Sequence, residues 1–416
     1  MTVDLSRADL KALDASDPLK DFKDRFCLPD GLVYMNGNSL GPLSVDAKAR
    51  MVQAVSEEWG EQLIKGWNTA GWYDIPGRIG DKIAQIIGAN PGETVLCDST
   101  SVNLFKAVSA ALSLNSNSKR TKILSEAGNF PTDLYILNGI RQFARGDYQV
   151  EIVDRDAVMA AIDAQTAVVV LTHVHYVSGA IFPMEEITRK AHEIGALVVW
   201  DLSHSVGAIE TNLNAAKADF AVGCGYKHLN GGPGAPAFLF AAERHHSAMQ
   251  QPLSGWFAHD NPFAFTDEFV PAGNIRRMLT GTTGVLGASA FEASIDLFLE
   301  ASSSDRYKKR EKLSSLFQQL VDSHCGGLGL TLISPAQASM RGAHISYRHE
   351  QGYAIMQNLI HRGVIGDFRA PDFMRFGFSP LFMSYENLYD AALILQDILQ
   401  SRSYEADQFQ VVNKVT

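Results

Sequence analysis

Through the middle of the chain, short apolar runs alternate with stretches that are apolar on one side only. Residues 167–172 (AVVVLT) are β-branched and uninterrupted, the pattern of a strand buried on both faces. Residues 196–200 (ALVVW) repeat it and stop at Asp201; residues 219–222 (DFAV) lead into a glycine-rich turn ending on Tyr226 and Lys227. Between the first two runs, 185–194 (EEITRKAHEI) sets Ile187, Ala191 and Ile194 on one helical face, and Gly195 is placed to stop the helix. Strand, helix and strand in that order predict a βαβ unit and a parallel sheet. A further helix is predicted over about 102–114, with Val102, Phe105, Val108 and Leu112 near-aligned behind Ser99-Thr100-Ser101, a cluster of N-cap residue types. Residues 284–301 read as a long helix, and 302–305 (SSSD) break the pattern. Beyond them, helices mix with short strands such as 343–347 (AHISY). The expectation is an α/β protein: a large domain over 51–300 with a mostly parallel sheet flanked by helices, and a smaller α/β domain over 301–416. The N-terminal segment, 1–50, is expected to pack with the small domain.

Length supports this division, because 416 residues exceed one ordinary small core. A net charge of −10 repels phosphate backbones, so no nucleic-acid partner is expected. The densest basic run, Arg306-Tyr307-Lys308-Lys309-Arg310, reads as the solvated start of a helix. Cys27, Cys97, Cys224 and Cys325 are scattered without a CxxC pair, which points to a reducing compartment and away from a disulfide framework or a structural metal. The N-terminus carries acids from its fourth residue and no apolar core, unlike a signal peptide, and no apolar run is long enough to span a bilayer. A cytoplasmic protein is the expectation.

The chemistry is expected where the strands end, the edge at which open α/β sheets place ligands. Asp201 closes a buried apolar run, and a desolvated carboxylate needs a positive or hydrogen-bonding partner. A protonated pyridine nitrogen is one such partner; capping a helix that begins near His204 is the plainer role. Lys227 lies 26 positions further on, flanked by Tyr226 and His228 and by Gly223, Gly225, Gly231 and Gly232, which leave room for close approach of a bulky ligand. An amine held out of water there is a usable nucleophile; a solvated loop charge is the ordinary alternative. The Ser99-Thr100-Ser101 entrance offers backbone N–H groups and hydroxyls to an anion, or simply a cap. Phe130, beside a turn, serves either as core or as a ring stacked on a flat ligand. No GxGxxG or P-loop pattern occurs. His173 and His175 read as buried, hydrogen-bonded histidines, His245-His246 as exposed, and Glu185-Glu186 as a favourable first helical turn.

Seven segments taken together resemble the fold-type-I pyridoxal-phosphate enzymes, and more narrowly the kynureninases. They are MNGNSLGPL (35–43), STSVNLFK (99–106), NFPTD (129–133), VWDLSHSVGA (199–208), VGCGYKHLNGGPG (222–234), LSGWFAH (253–259) and MRFGFSPLF (374–382), in the family's order along almost the whole chain. The resemblance implies pyridoxal 5'-phosphate held covalently on Lys227, which then serves as base at the substrate Cα. It implies that Asp201 pairs with the ring nitrogen and that Phe130 stacks on the ring. Thr100, Ser101, Tyr226 and Trp256 are implied at the phosphate or ring edge, and Thr132, Asp133, Thr172 and His204 in other cofactor contacts. Thr282 stands where the family often has Asn, and it and Trp256 are implied to act across a homodimer interface. Arg375 occupies the position that grips the substrate carboxylate, a task suited to a planar guanidinium. Tyr226 is a candidate acid–base partner. No metal is implied. The activity implied is hydrolysis of L-kynurenine, or its 3-hydroxy form, to anthranilate or 3-hydroxyanthranilate and L-alanine, in tryptophan catabolism and NAD biosynthesis. A cysteine desulfurase with Cys325 as its nucleophile, an aminotransferase, and a non-catalytic binding protein on the same scaffold are the rivals.

Overall fold

The computed structural model describes residues 5–144 and 147–412. The first and last four residues, the outer ends of the two terminal divisions and of the acidic N-terminal stretch, lie outside the described residues. A short strand, β1 (Val33–Tyr34), precedes seven that form the central sheet: β2 (Thr94–Leu96), β3 (Lys122–Glu126), β4 (Gln149–Val153), β5 (Thr166–Thr172), β6 (Leu197–Asp201), β7 (Phe220–Gly223) and β8 (Phe238–Ala241). Their order is β2-β8-β7-β6-β5-β3-β4. β3 to β7 run parallel, and β8 is antiparallel to both its neighbours. The uninterrupted apolar run of β5 is buried along its whole length, as helices on both faces require. The three strands read from the sequence are β5, β6 and β7, side by side in register, with Thr172 opposite Asp201 and Asp201 opposite Val222. Their carboxyl ends therefore share one edge.

The helices follow the predicted spans within a residue or two: Thr100–Ser113, Met184–Glu193 and Val285–Glu300. Ser99 caps the first, its Oγ accepting from the Val102 N–H at 3.4 Å, and Gly195 ends the second at φ +75°. One face differs from expectation. In the first helix Val108 and Leu112 are buried as expected, whereas Val102 and Phe105 are only half-buried; Leu104 and Ala111 join the inner side, together with Lys106, whose Nζ meets Asp98 at 2.6 Å. A second correction concerns the basic run. Ser302 caps the helix Ser303–Cys325, but Arg306, Lys309 and Arg310 at its start are buried, not solvated. Lys309 pairs with Asp17 at 2.6 Å, Arg306 lies 3.8 Å from the Phe298 ring centroid, and Arg310 donates to the Ala338 and Arg341 carbonyls.

Further along come β9 (Thr331–Leu332), β10 (His344–Arg348), β11 (Val364–Ile365), β12 (Asp367–Arg369) and β13 (Phe373–Gly377). β12-β13-β10-β9 form an antiparallel sheet, and β11 pairs in parallel with β1. The helix Arg7–Ala15 is tied to the helix Tyr385–Ser401 by the Arg7–Glu386 ion pair at 2.8 Å. Residues 35–41 then run back to the central sheet, where the Gly41 N–H donates to the Tyr226 carbonyl at 2.8 Å. Among the described residues no helix is long and apolar enough to cross a membrane.

Candidate active site

The carboxyl edge of the central sheet encloses a cavity of about 280 Å³. Thr100, Ser101, Phe130, Thr132, Asp133, Thr172, Asp201, His204, Tyr226 and Lys227 all line it. A larger cavity of about 470 Å³, between the N-terminal segment and the helix Tyr385–Ser401, holds none of the residues singled out above.

Asp201 ends β6 and is buried, with its Oδ1 accepting from the Ser203 N–H at 2.7 Å. No helix begins near His204; residues 203–208 form turns, so the carboxylate caps a turn and faces the cavity. Burial raises its pKa, with the Lys227 charge acting against that. Asp133 is raised further, by burial and then by the neighbouring Asp201. Thr172 Oγ1 donates to Asn129 Oδ1 and lies 3.2 Å from Asp133 Oδ2. Lys227 Nζ is 2.9 Å from His204 Nε2 and 6.0 Å from the ring centroids of Phe130 and Tyr226. Burial pushes the Tyr226 phenol up, with the Cys224 thiol adding to it. The glycines around Lys227 serve a purpose other than ligand approach. A Cβ on Gly225 or Gly231 would meet the Phe291 ring at 2.6 or 2.5 Å, so they let the turn pack on the helix behind it.

At the other end of the cavity, the N-terminus of the 14-residue helix Thr100–Ser113 turns its first N–H groups and two hydroxyls inward. Asp98, which sequence reasoning passed over, holds this entrance in place. Its backbone is left-handed at φ +45°, and its carboxylate takes Lys106 Nζ at 2.6 Å and the Thr280 hydroxyl at 3.0 Å. A lysine on the apolar side of a helix, eight residues after an acid, was the available signal. Ser203 and Tyr176 were also missed; both line the cavity, and Tyr176 packs edge-on to Phe130 at 5.4 Å.

The donor set fits the expected cofactor. Two buried carboxylates share the cavity with one amine, leaving room for a second positive charge such as a protonated ring nitrogen. A helix entrance suits a phosphate, and an aromatic face suits a flat ring.

Three expected residues lie off the cavity lining. Trp256 and Thr282 are exposed, Trp256 within an aromatic cluster with Trp67, Phe257 and Phe263. Arg375 is buried rather than on the surface. Its Nε donates to Asp367 Oδ1 at 2.7 Å, Nη1 to the Tyr176 carbonyl at 2.5 Å and Nη2 to Ser39 Oγ at 2.9 Å. It thus stands directly behind the Tyr176 wall. His245 and His246, expected to be exposed, are instead drawn inward. His245 Nε2 reaches Asp219 at 2.9 Å, and His246 Nε2 reaches the Ala241 carbonyl at 2.8 Å. Cys325 is buried at the end of its helix, away from the cavity, and burial pushes its thiol up to about 12, the opposite of a reactive thiolate.

A family model described as the kynureninase C-terminal domain matches residues 307–395. A kynureninase of Pseudomonas fluorescens is 44% identical over 414 residues, covering 99% of this chain and all of that protein. One of Burkholderia pseudomallei is 44% identical over 415 residues with the same coverage. Among solved structures, a cysteine desulfurase from Thermococcus onnurineus superposes with a TM-score of 0.77 over 92% of this chain and 98% of its own, at 18% identity. The fold is shared with that enzyme.

Proposed function

The chain belongs to the kynureninase family, enzymes of tryptophan catabolism, and from that premise we propose that it uses pyridoxal phosphate to hydrolyse L-kynurenine, or the 3-hydroxy form, to anthranilate or 3-hydroxyanthranilate and L-alanine. The observation that carries this is the opening of Lys227 and Asp201 onto one cavity, with a helix entrance and an aromatic face between them. Thr100, Ser101 and the helix N-terminus would hold the phosphate. Phe130 would cover the ring, and Thr132, Asp133, Thr172 and His204 would border it. When bound, the cofactor supplies an electron sink for charge left at the substrate Cα.

Asp201 would hold a proton on the ring nitrogen by offering it a buried carboxylate. Arg375 would orient the substrate carboxylate through the end now held by Ser39 and the Tyr176 carbonyl, while Asp367 holds the side formed by Nε and Nη2. Lys227 Nζ takes the proton from Cα. Water adds to the aryl ketone carbon, the Cβ–Cγ bond breaks with its electron pair left on Cβ, the Tyr226 hydroxyl would give Cβ a proton, and Lys227 would return its proton to Cα, leaving anthranilate and alanine. Trp256 and Thr282 would complete the site of the opposite subunit of a homodimer, consistent with their exposure. We divide the chain accordingly into 1–50, 51–300 and 301–416, the first packing with the last.

The test is anthranilate fluorescence on adding L-kynurenine to protein loaded with pyridoxal phosphate, beside sulfide release from cysteine. Anthranilate with negligible sulfide is the expected result; sulfide alone would sink the assignment. Borohydride reduction should fix the cofactor on Lys227.

A further inference from the structure

Two parts of the site hang from one short turn. After β5 the chain folds back on itself over residues 175–180. The His175 N–H donates to the Ala180 carbonyl at 2.9 Å, and the Gly179 N–H to the His175 carbonyl at 2.8 Å. Tyr176, within this turn, lines the cavity, and its ring meets Phe130 edge-on with centroids 5.4 Å apart. Its carbonyl accepts from Arg375 Nη1. His175, one residue earlier, is half-buried and outside the cavity lining. Its Nε2 lies 2.8 Å from the carbonyl oxygen of Gly128, two residues before Phe130.

The contacts around the imidazole fix what each nitrogen does. Nδ1 faces the N–H groups of Val177 at 3.3 Å and Ser178 at 3.1 Å, which only donate, so Nδ1 accepts. The Ser178 hydroxyl lies 3.2 Å from the same nitrogen. The Gly128 carbonyl only accepts, so Nε2 carries the proton and donates to it. Burial, with Arg155 and Arg375 adding to it, takes the imidazole down to about 4 against the pull of the Gly128 bond. Near neutral pH the ring is therefore uncharged and in that one tautomer. The Phe130 turn has use for such a tie. Its phenyl ring is 42% exposed, and Gly128 is left-handed at φ +73°. From beneath, the turn is held by Asn129, whose Oδ1 accepts from the Phe130 N–H at 2.7 Å and from Thr172 Oγ1. His175 supplies the hold from the side.

We propose that His175 is a positioning residue: by donating from Nε2 to the Gly128 carbonyl it ties the Phe130 turn to the turn that carries Tyr176, and so holds the Phe130 ring in place over the cavity. This rests on the flat cofactor ring lying against Phe130. A stacked ring contributes only while it stays in contact, so the backbone that carries it must not drift. The same turn serves both ligands. It holds Phe130 through His175 and Arg375 through the Tyr176 carbonyl, which keeps the cofactor ring and the substrate carboxylate in one frame.

His175→Leu removes the donor and keeps much of the bulk, whereas His175→Gln returns an N–H at a similar reach. The half-saturating concentration of pyridoxal phosphate and the visible circular dichroism of the bound cofactor report on how the ring is held. In His175→Leu that concentration should rise about threefold to tenfold, the worth of one hydrogen bond, and the visible dichroism should weaken. With L-kynurenine, kcat should fall by a similar factor while KM changes little. His175→Gln should restore all three. Nitrogen-15 NMR of histidine-labelled wild type without added cofactor should show His175, assigned by its absence from a variant spectrum, as a neutral ring protonated on Nε2. A His175 that is charged or protonated on Nδ1 at neutral pH overturns the proposal, whether or not the leucine variant folds. So does a leucine variant that is merely less stable, with cofactor affinity and dichroism unchanged, or a glutamine variant as impaired as the leucine one. If the cofactor readouts move as expected but the wild type forms no anthranilate, the positioning role stands and the assignment of the reaction falls.

Discussion

Asp201 and Asp219 lie at opposite ends of adjacent strands, β6 and β7, and are 4% and 1% exposed. Similar burial has opposite consequences. Asp219 accepts from Val198 N at 2.9 Å, His192 Nε2 at 2.8 Å, His245 Nε2 at 2.9 Å and Arg244 Nη2 at 2.7 Å. Burial alone would raise its pKa, but the bonds from His192 and His245 outweigh that and leave it well below the usual range. Asp201 has the Ser203 N–H and the field of Lys227, and its pKa is raised. A buried carboxylate whose bonds are complete holds the sheet together. One that is incompletely compensated and opens on a cavity is poised for a ligand.

The comparison is sharpest at the amine. Lys227→Ala should abolish turnover, by at least about 10⁴-fold, with the far-ultraviolet circular dichroism unchanged; retained turnover would remove the site assignment. Next, the two aspartates should separate function from stability. Asp201→Asn should lower kcat/KM about 10²–10³-fold while leaving the cofactor-free protein as stable or more so. Asp219→Asn should cost about 3 kcal/mol in urea unfolding, since its histidine and arginine partners lose their anion, with kcat little changed in the folded fraction. Equal effects of the two on stability would erase the distinction.

The sign of the pH dependence follows. Asp219 contributes stability above its unfolded value of 3.8 that is lost as pH falls through its lower folded value. Glu126, at the carboxyl end of β3, behaves oppositely. Burial raises it from 4.5 to about 7 despite Arg155 at 2.9 Å. The folded state then binds its proton more tightly than the unfolded, so stability falls as pH rises from about 4.5 to about 7. The cost is complete above that, at most about 3 kcal/mol. Glu126→Gln should flatten that slope in denaturant titrations. The smallest effect belongs to the helix entrance: Ser99→Ala should cost about 1 kcal/mol in thermal unfolding through loss of the cap. A modest rise in the pyridoxal phosphate concentration needed for half-saturation should accompany it.

Much of this arrangement was legible in the residues. The apolar runs at 167–172 and 196–200 announced β5 and β6, because a strand buried on both faces admits nothing else. The residues that end or follow such strands marked the ligand edge, and Asp201 and Lys227 were found that way. The segment resemblance added residues that periodicity cannot reach, such as Thr132 and Asp133. What failed has one cause. Arg306, Lys309, Arg310, His245 and His246 look solvated as letters, yet each finds a partner distant in the chain or a backbone carbonyl that only the folded core supplies. Lys106 is drawn inside by a partner of the same kind, Asp98, and Tyr176 carried no local mark.

The chain by itself determined which segments become strands and helices, and on which edge chemistry would gather, because those follow from short-range periodicity and the cost of burying polar groups. Only the tertiary structure decided which buried charges are satisfied and which are left waiting. That depends on groups hundreds of residues apart, such as Ser39 and Arg375, arriving within hydrogen-bond reach of each other.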